Sequence, residues 1–272
     1  MTEDPDLHLD LHLDRPSPAR VYDYMLGGKN NFAADRRVAD AMLAVAPTVR
    51  ESARANRDFL LRAIKFLVAE AGVTQFLDVG SGIPTMSNVH EVAQSIEPAA
   101  RVVYVDNDPI VAVHSRALLL PDERTQFVEA DATDPAAILA APALAKTLDL
   151  ARPVALMLVS FLMYFDDRIA GNIVSTLRNA LPSGSYVVIS HPTADLATDE
   201  DERKHLVAAG EAARAGGVTY VPRSREQVED LLAGTQLVPP GLVPMLRWRP
   251  EQIATIGPGI PVHYWAGVGR KP

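Results

Sequence analysis

Gln75-Phe76-Leu77-Asp78-Val79-Gly80-Ser81-Gly82-Ile83-Pro84-Thr85 decides how the rest of this chain is read. An apolar run ends in an acidic residue, passes through two glycines and then reads as the start of a helix. That pattern predicts a strand feeding a tight loop into a helix N-terminus, where bare backbone lets a ligand come close. A dinucleotide-binding loop places a third glycine at the position held here by Thr85, so that a pyrophosphate can sit on the helix. Asp78, two residues before Gly80, would oppose a pyrophosphate and suit a cationic group. The loop is read as one built for a ligand with a positively charged end.

Working outward, the strand-plus-acid pattern repeats. Arg101–Asp106 ends in Asp106, and Asp108-Pro109 follows as an N-cap with proline at the first helical position. Thr125–Ala130 is followed by Asp131-Ala132, and Asp134-Pro135 caps the next helix. In each case the second aspartate has a local task, leaving Asp106 and Asp131 for a ligand. Pro153–Val159 is a continuous apolar run, as a central parallel strand buried on both faces requires. It delivers Ser160-Phe161 and then Tyr164. Ser185–Ser190 is a fifth strand, followed by His191, and Val262–Val268 closes the sheet. Helices are predicted at Met86–Ile96 and Ile110–Leu120. Asp199–Arg214 is a charged helix in the position of a lid. The expectation is an α/β doubly wound Rossmann-like sheet, mostly parallel with its last strand antiparallel, as one domain over 15–272.

The N-terminal third differs in character. Residues 1–14 are acidic, with Asp6–Asp14 alternating strictly, and read as a mobile tail. The alternatives are an extended edge strand pairing with a second copy in a homodimer, or contact of His8 and His12 with a metal. From Arg15 to Lys65 there are ten Lys/Arg against five Asp/Glu. Residues 15–72 are read as a helical cap over a core of 73–272. Arg20–Phe32 is a short helix breaking at Gly27-Gly28. A long helix follows Pro47, with Thr48 and Glu51 spaced as a capping box and Ala53, Leu60, Ile64, Leu67 and Ala71 as its buried stripe. Arg50, Arg54 and Arg57 share another face. That face is either solvated or aims Arg57 at a ligand carboxylate.

Composition narrows the function classes. The 272 residues carry a formal charge of -8, which argues against a nucleic-acid partner by long-range field. There is no cysteine, so thiolate metal sites, disulfides and cysteine nucleophiles are excluded. No His/Asp/Glu cluster has metal-ligand spacing, so no metal is expected. No apolar run approaches the ~18 residues of a membrane span, and a cytoplasmic location is the default expectation.

In open α/β sheets, ligands bind beyond the carboxyl ends of the strands where strand order reverses. Gly80, Ser81 and Gly82, Asp106 with Asn107, Asp131 with Ala132, and Ser160 with Phe161 all fall there. Each suits part of S-adenosylmethionine (SAM). The loop amides meet the amino-acid end, with Asp78 favouring its ammonium. Asp106 takes both ribose hydroxyls, a charged acceptor worth roughly 1.5–3 kcal/mol. Asp131 accepts from the adenine amine, and the Ala132 amide faces a ring nitrogen. An NAD-dependent oxidoreductase would explain Asp106 but neither Asp78 nor Asp131.

These residues resemble the class I SAM-dependent methyltransferases. They resemble more closely an actinobacterial family of SAM-dependent methyltransferase-like proteins, formerly a domain of unknown function. Pro18–Lys29, Ala53-Arg54-Ala55-Asn56-Arg57, Trp248-Arg249-Pro250 and Gly267-Val268-Gly269-Arg270 carry that likeness. The resemblance implies that the cap belongs to the cofactor site, with Tyr24, Gly28, Asn31 and Arg57 contributing. It also implies S-adenosylhomocysteine (SAH) as product. Met163 stands where many relatives have histidine. His191 and Tyr164 are the residues left as bases, each with a structural role as the plainer alternative. No Asn-Pro-Pro-Tyr follows the fourth strand, which disfavours adenine-N6 methylation. A methyltransferase acting on oxygen, nitrogen or carbon of a small or carboxylated acceptor leads, with a non-catalytic SAM-binding sensor as alternative.

Overall fold

A computed structural model describes residues 11–84, 87–118, 122–250 and 260–272. The expectations for residues 1–10 (His8 among them), Thr85, Met86 and the last two residues of the Ile110–Leu120 helix lie outside the described residues.

Three helices come first: α1 (Pro18–Met25), α2 (Ala33–Val45) and α3 (Thr48–Ala69). The β/α alternation then begins with β1 (Gln75–Val79), α4 (Val89–Ile96), β2 (Arg101–Asp106), α5 (Pro109–Leu118) and β3 (Thr125–Glu129). It continues through α6 (Pro135–Ala140), α7 (Pro142–Thr147), β4 (Ala155–Val159), α8 (Asp167–Ala180) and β5 (Tyr186–Pro192). Helices α9 (Glu200–Ala215) and α10 (Arg225–Leu231) precede β6 (Gln236–Leu237), β7 (Val243–Pro244) and β8 (Tyr264–Arg270). The sheet runs β3-β2-β1-β4-β5-β8-β6, with β7 on β8. β1 to β5 are parallel and β8 is antiparallel to β5, in the register Ser190↔Ala266. Strand order reverses between β1 and β4, and the crevice at that point is where the site forms.

The period of two along each strand sorts the core into two layers. Phe76, Val102, Ala155 and Met157 face Phe59, Leu60, Ile64 and Leu67 of α3. Leu77, Val103, Leu156 and Leu158 face Ile173, Val174 and Leu177 of α8 and Val228 of α10. The Trp248-Arg249 signature closes the first layer. Trp248 is fully buried, edge-on to Phe59 at 5.4 Å and to Phe66 at 6.0 Å. The Arg249 guanidinium lies 4.1 Å from the Phe66 ring centre and pairs with Glu70. The Arg62 side chain holds the Trp248 and Met245 carbonyls at 2.8 and 3.0 Å.

Several expectations need correction. Thr48 does not cap α3: Pro47 precedes it in helical conformation and no side chain caps the end. Glu51 instead pairs with Arg54 at 3.0 Å. β5 runs on through His191 and Pro192, because β8 starts at Tyr264 and pairs with both. α9 packs on the cap, with Ala209 and Ala213 buried against Val38, Ala39 and Met42. Its charge is local chemistry, with Asp199 accepting from the Glu202 amide and three acids in the first turn. Residues 11–14 form a turn held by Arg20 and by Leu11, which packs on Ile83, Ile110 and Val111.

Candidate cofactor and acceptor site

The glycine loop is drawn across the end of β2. Gly80 and Ser81 both donate to the Val105 carbonyl, at 2.8 and 3.1 Å. Gly80 and Gly82 take φ of +74° and +66°, a left-handed backbone that favours glycine. A Cβ built on Gly80 would lie 1.9 Å from the Phe161 ring, so backbone and ring are in direct contact. Phe161 in turn meets Phe165 edge-on at 5.1 Å. Ser160, at the end of β4, is also left-handed, with φ of +54°. Hydrogen bonds from both its amide and its hydroxyl hold it there. Its amide donates to Ser190 Oγ at 2.9 Å, and its hydroxyl meets Tyr264 at 3.1 Å. Such strain at a strand end persists only when its surroundings fix it.

Two carboxylates stand beside this loop. Asp78 is buried. Desolvation pushes it up to about 7, with Arg57 pulling the other way and Asp106 adding to the rise. Asp106 is pushed up to about 6, again by desolvation first, with the Asp108 and Gly82 amides opposing. Its Oδ2 accepts from the Gly82 amide at 2.8 Å and its Oδ1 from the Asp108 amide at 3.0 Å. Two neighbouring acids that resist ionising form a site that gains when a cation arrives. Ser81 Oγ is buried without a hydrogen-bond partner among the described residues, which fits a polar ligand at the loop.

These groups open onto a cavity of about 320 Å³. On one side it is lined by Arg57, Asp78, Gly80, Ser81, Gly82, Asp106 and Asn107. Ser160, Phe161, Tyr164 and Phe165 form the β4 side. The third wall was not anticipated from sequence: Ser17, Pro18, Ala19, Tyr22, Asn56 and the Gly217-Val218-Thr219 turn. Tyr22 donates to the Ala53 carbonyl and accepts from Asn56, whose Oδ1 accepts from Ser190. Tyr22 and Asn56 sit inside the two N-terminal stretches already singled out, so the signal was present but unassigned.

Other expected contributors are not brought to this cavity. Tyr24 hydrogen-bonds Asp40 at 2.9 Å, with Arg50 stacked on its ring. Asn31 is buried against Asp23 and the Gly28 carbonyl, and Gly28 lines a separate groove that meets Arg57. Asp131 is exposed and accepts from the Thr133 amide at 2.8 Å, so it too has a local partner; Ala132 is buried. His191 lies outside the cavity lining. Arg223 donates to its Nε2 at 2.7 Å and its Nδ1 donates to the Pro192 carbonyl at 3.0 Å. Burial lowers it to about 3, so the ring is neutral with both nitrogens engaged. Of the two residues considered as bases, only Tyr164 lines the cavity, and burial raises its hydroxyl well above the ordinary tyrosine range. Among the described residues no cluster could hold a metal ion, and no helix is long and apolar enough to cross a membrane.

The sheet order, the glycine bend and the acid closing β2 define the class: a Rossmann-like methyltransferase fold. The chain belongs to the S-adenosyl methyltransferase family, whose model matches residues 5–272. It is similar to a Streptomyces avermitilis protein of the domain-of-unknown-function family 574, at 42% identity and a TM-score of 0.90. That match covers 96% of this chain and 100% of the other. A candidate methyltransferase from Thermobifida fusca is 40% identical, with a TM-score of 0.87 and 98% and 99% coverage. An O-methyltransferase family protein from Burkholderia thailandensis, at 15% identity and a TM-score of 0.51, covers 82% of this chain and 60% of its own and shares the fold alone. No curated protein matches the chain. The chain is a SAM-dependent methyltransferase, and SAM is its cofactor.

Proposed function

We propose that the cavity holds SAM at its acidic end and a small uncharged acceptor at its aromatic end. The observation that carries this is the pair of desolvated carboxylates, Asp78 and Asp106, flanking a glycine loop at the point where strand order reverses. Bound there, SAM supplies a methyl group already activated by its sulfonium. The chain's own residues then hold, orient and dehydrate. Asp78 faces the ammonium, Arg57 the carboxylate, Asp106 with Asn107 the ribose, and Tyr22, Tyr164, Phe165 and Thr219 the acceptor. Positioning is the main contribution, because none of the residues at the aromatic end carries a ready base. The size of the cavity favours a small molecule over a polymer. The cap arginines lend no support to a carboxylated acceptor. Arg50 covers Tyr24 and Arg54 pairs with Glu51, which leaves only Arg57 in the lining.

Calorimetry with SAM, SAH and NADH tests the site; NADH uptake without SAM uptake would sink it. Asp106→Ala is expected to lower SAM affinity by at least tenfold, with the circular dichroism of the fold kept. Affinity equal to that of the unsubstituted chain would remove Asp106 from the site. Arg57→Ala should cost SAM more than it costs decarboxylated SAM, by about fivefold; equal losses would return Arg57 to its bond with the Ser87 carbonyl. The engaged nitrogens of His191 favour one second reading, a SAM-binding sensor without turnover. It predicts SAM binding with no methylated product from any aromatic or amine acceptor.

A further inference from the structure

We infer that Arg20 is a positioning residue of the cofactor site, holding the N-terminal strap of residues 11–17 and, through it, the Ser17–Ala19 wall of the cavity. The inference rests on reading the cavity as the SAM site. Arg20 is 1% exposed, and a guanidinium so deeply buried persists only if its donors are met. Three of its partners are strap carbonyls. Nη1 donates to Leu11 at 3.2 Å, and Nη2 donates to His12 at 3.1 Å and Arg15 at 2.5 Å. Nε donates to Asp35 Oδ1 at 3.2 Å, and the same carboxylate oxygen accepts from the Ser17 amide at 2.9 Å. Asp108 Oδ2 lies 3.8 Å from Nη1. One side chain thus joins the strap, the α2 cap and the turn after β2.

Other contacts reinforce the strap, the Val21 amide donating to the Ser17 carbonyl at 2.9 Å among them. Its described backbone makes one turn of its own, Arg15 to the His12 carbonyl. Its apolar anchor is Leu11, which with Ala19 packs against Ile83, Ile110 and Val111. Ile83 follows Gly82, and Ile110 stands two residues after Asp108. The strap therefore rests on the two turns that present Asp78 and Asp106. Two residues after the Arg15 carbonyl, Ser17 and then Pro18 and Ala19 of α1 line the cavity. A lysine keeps the charge but has no planar fork to span three carbonyls and Asp35 together.

Hydrogen exchange on the full chain, with and without SAH, tests this alongside calorimetric SAH affinity. SAH is expected to slow exchange of the amides at 12–15, 17 and 19 in the unsubstituted chain. Arg20→Lys should speed exchange of the same amides, leave the β1, β2 and β4 amides protected, and weaken SAH by about tenfold. Leu11→Asn keeps Arg20 and should act in the same direction by about threefold; it carries the test if Arg20→Lys does not fold. A strap that loosens in either variant with SAH affinity unchanged overturns the inference, as does a strap whose exchange neither variant alters. No SAH uptake by the unsubstituted chain would overturn the site reading and this inference together. Uptake that neither variant weakens overturns this inference alone.

Discussion

Asp78→Asn is expected to weaken SAM binding by about a hundredfold, because the ammonium then meets a neutral amide in a desolvated wall. Stability should move the other way. The folded-state value of about 7 lies above the ordinary aspartate value of 3.8, so the native protein holds an extra proton between roughly pH 4 and pH 7. This group's contribution to stability therefore falls as pH rises through that window. Above it the native fold carries a buried charge that asparagine lacks, and the variant should melt at the same temperature or higher. The proton also competes with the cofactor. Below about pH 7.7 the SAM amine remains a cation, while the ionised fraction of Asp78 drops about twentyfold from pH 7.5 to pH 5.5. SAM affinity of the unsubstituted chain should fall with it, and Asp78→Asn should leave only the shallower, about fourfold fall that Asp106, at about 6, contributes. Calorimetry across this range checks both. A variant binding SAM like the parent, or keeping its pH dependence, would remove Asp78 from the ammonium position.

Gly80→Ala should be the most damaging single methyl in the loop. The residue has a φ of +74°, and its new Cβ would fall 1.9 Å from Phe161. The left-handed backbone costs an alanine about 1–2 kcal/mol, and displacing a packed ring adds about 1–3 kcal/mol. A fall in Tm of about 4–20 °C follows for a chain of this size. Phe161 must swing into the cavity, so SAM affinity should fall by more than tenfold. The Gly80→Ala/Phe161→Ala pair separates the causes. If the clash dominates, the double variant loses less than the sum of the singles by about 1 kcal/mol or more. Strict additivity would assign the whole effect to backbone strain.

The strand ends were legible because strand, turn and N-cap chemistry are local. Asp108 and Asp134 cap α5 and α6 as their Asp-Pro spacing predicts, with Asp108 accepting from Ile110 at 2.7 Å and Asp134 from Ala137 at 3.1 Å. Asp131 shows the same local chemistry. A carboxylate before a turn finds the amide two residues on, and the Thr133 amide takes it. Tyr24 was implied by the family resemblance, and Tyr22 stands two residues before it. Residues two apart on a helix face opposite sides, and only the docking of α1 on α3 turns Tyr22 inward and leaves Tyr24 to Asp40.

By itself the chain's order of residues determined the alternating β/α core, the glycine bend and the acids that end β1 and β2, since each is written within a few neighbouring positions. Tertiary structure alone decided that Asp78 resists ionisation, that His191 is locked by Arg223, and that Ser17–Ala19, Asn56 and Gly217–Thr219 meet across one cavity. Those outcomes depend on desolvation and on contacts between segments distant in the chain, quantities that no local pattern of residues encodes.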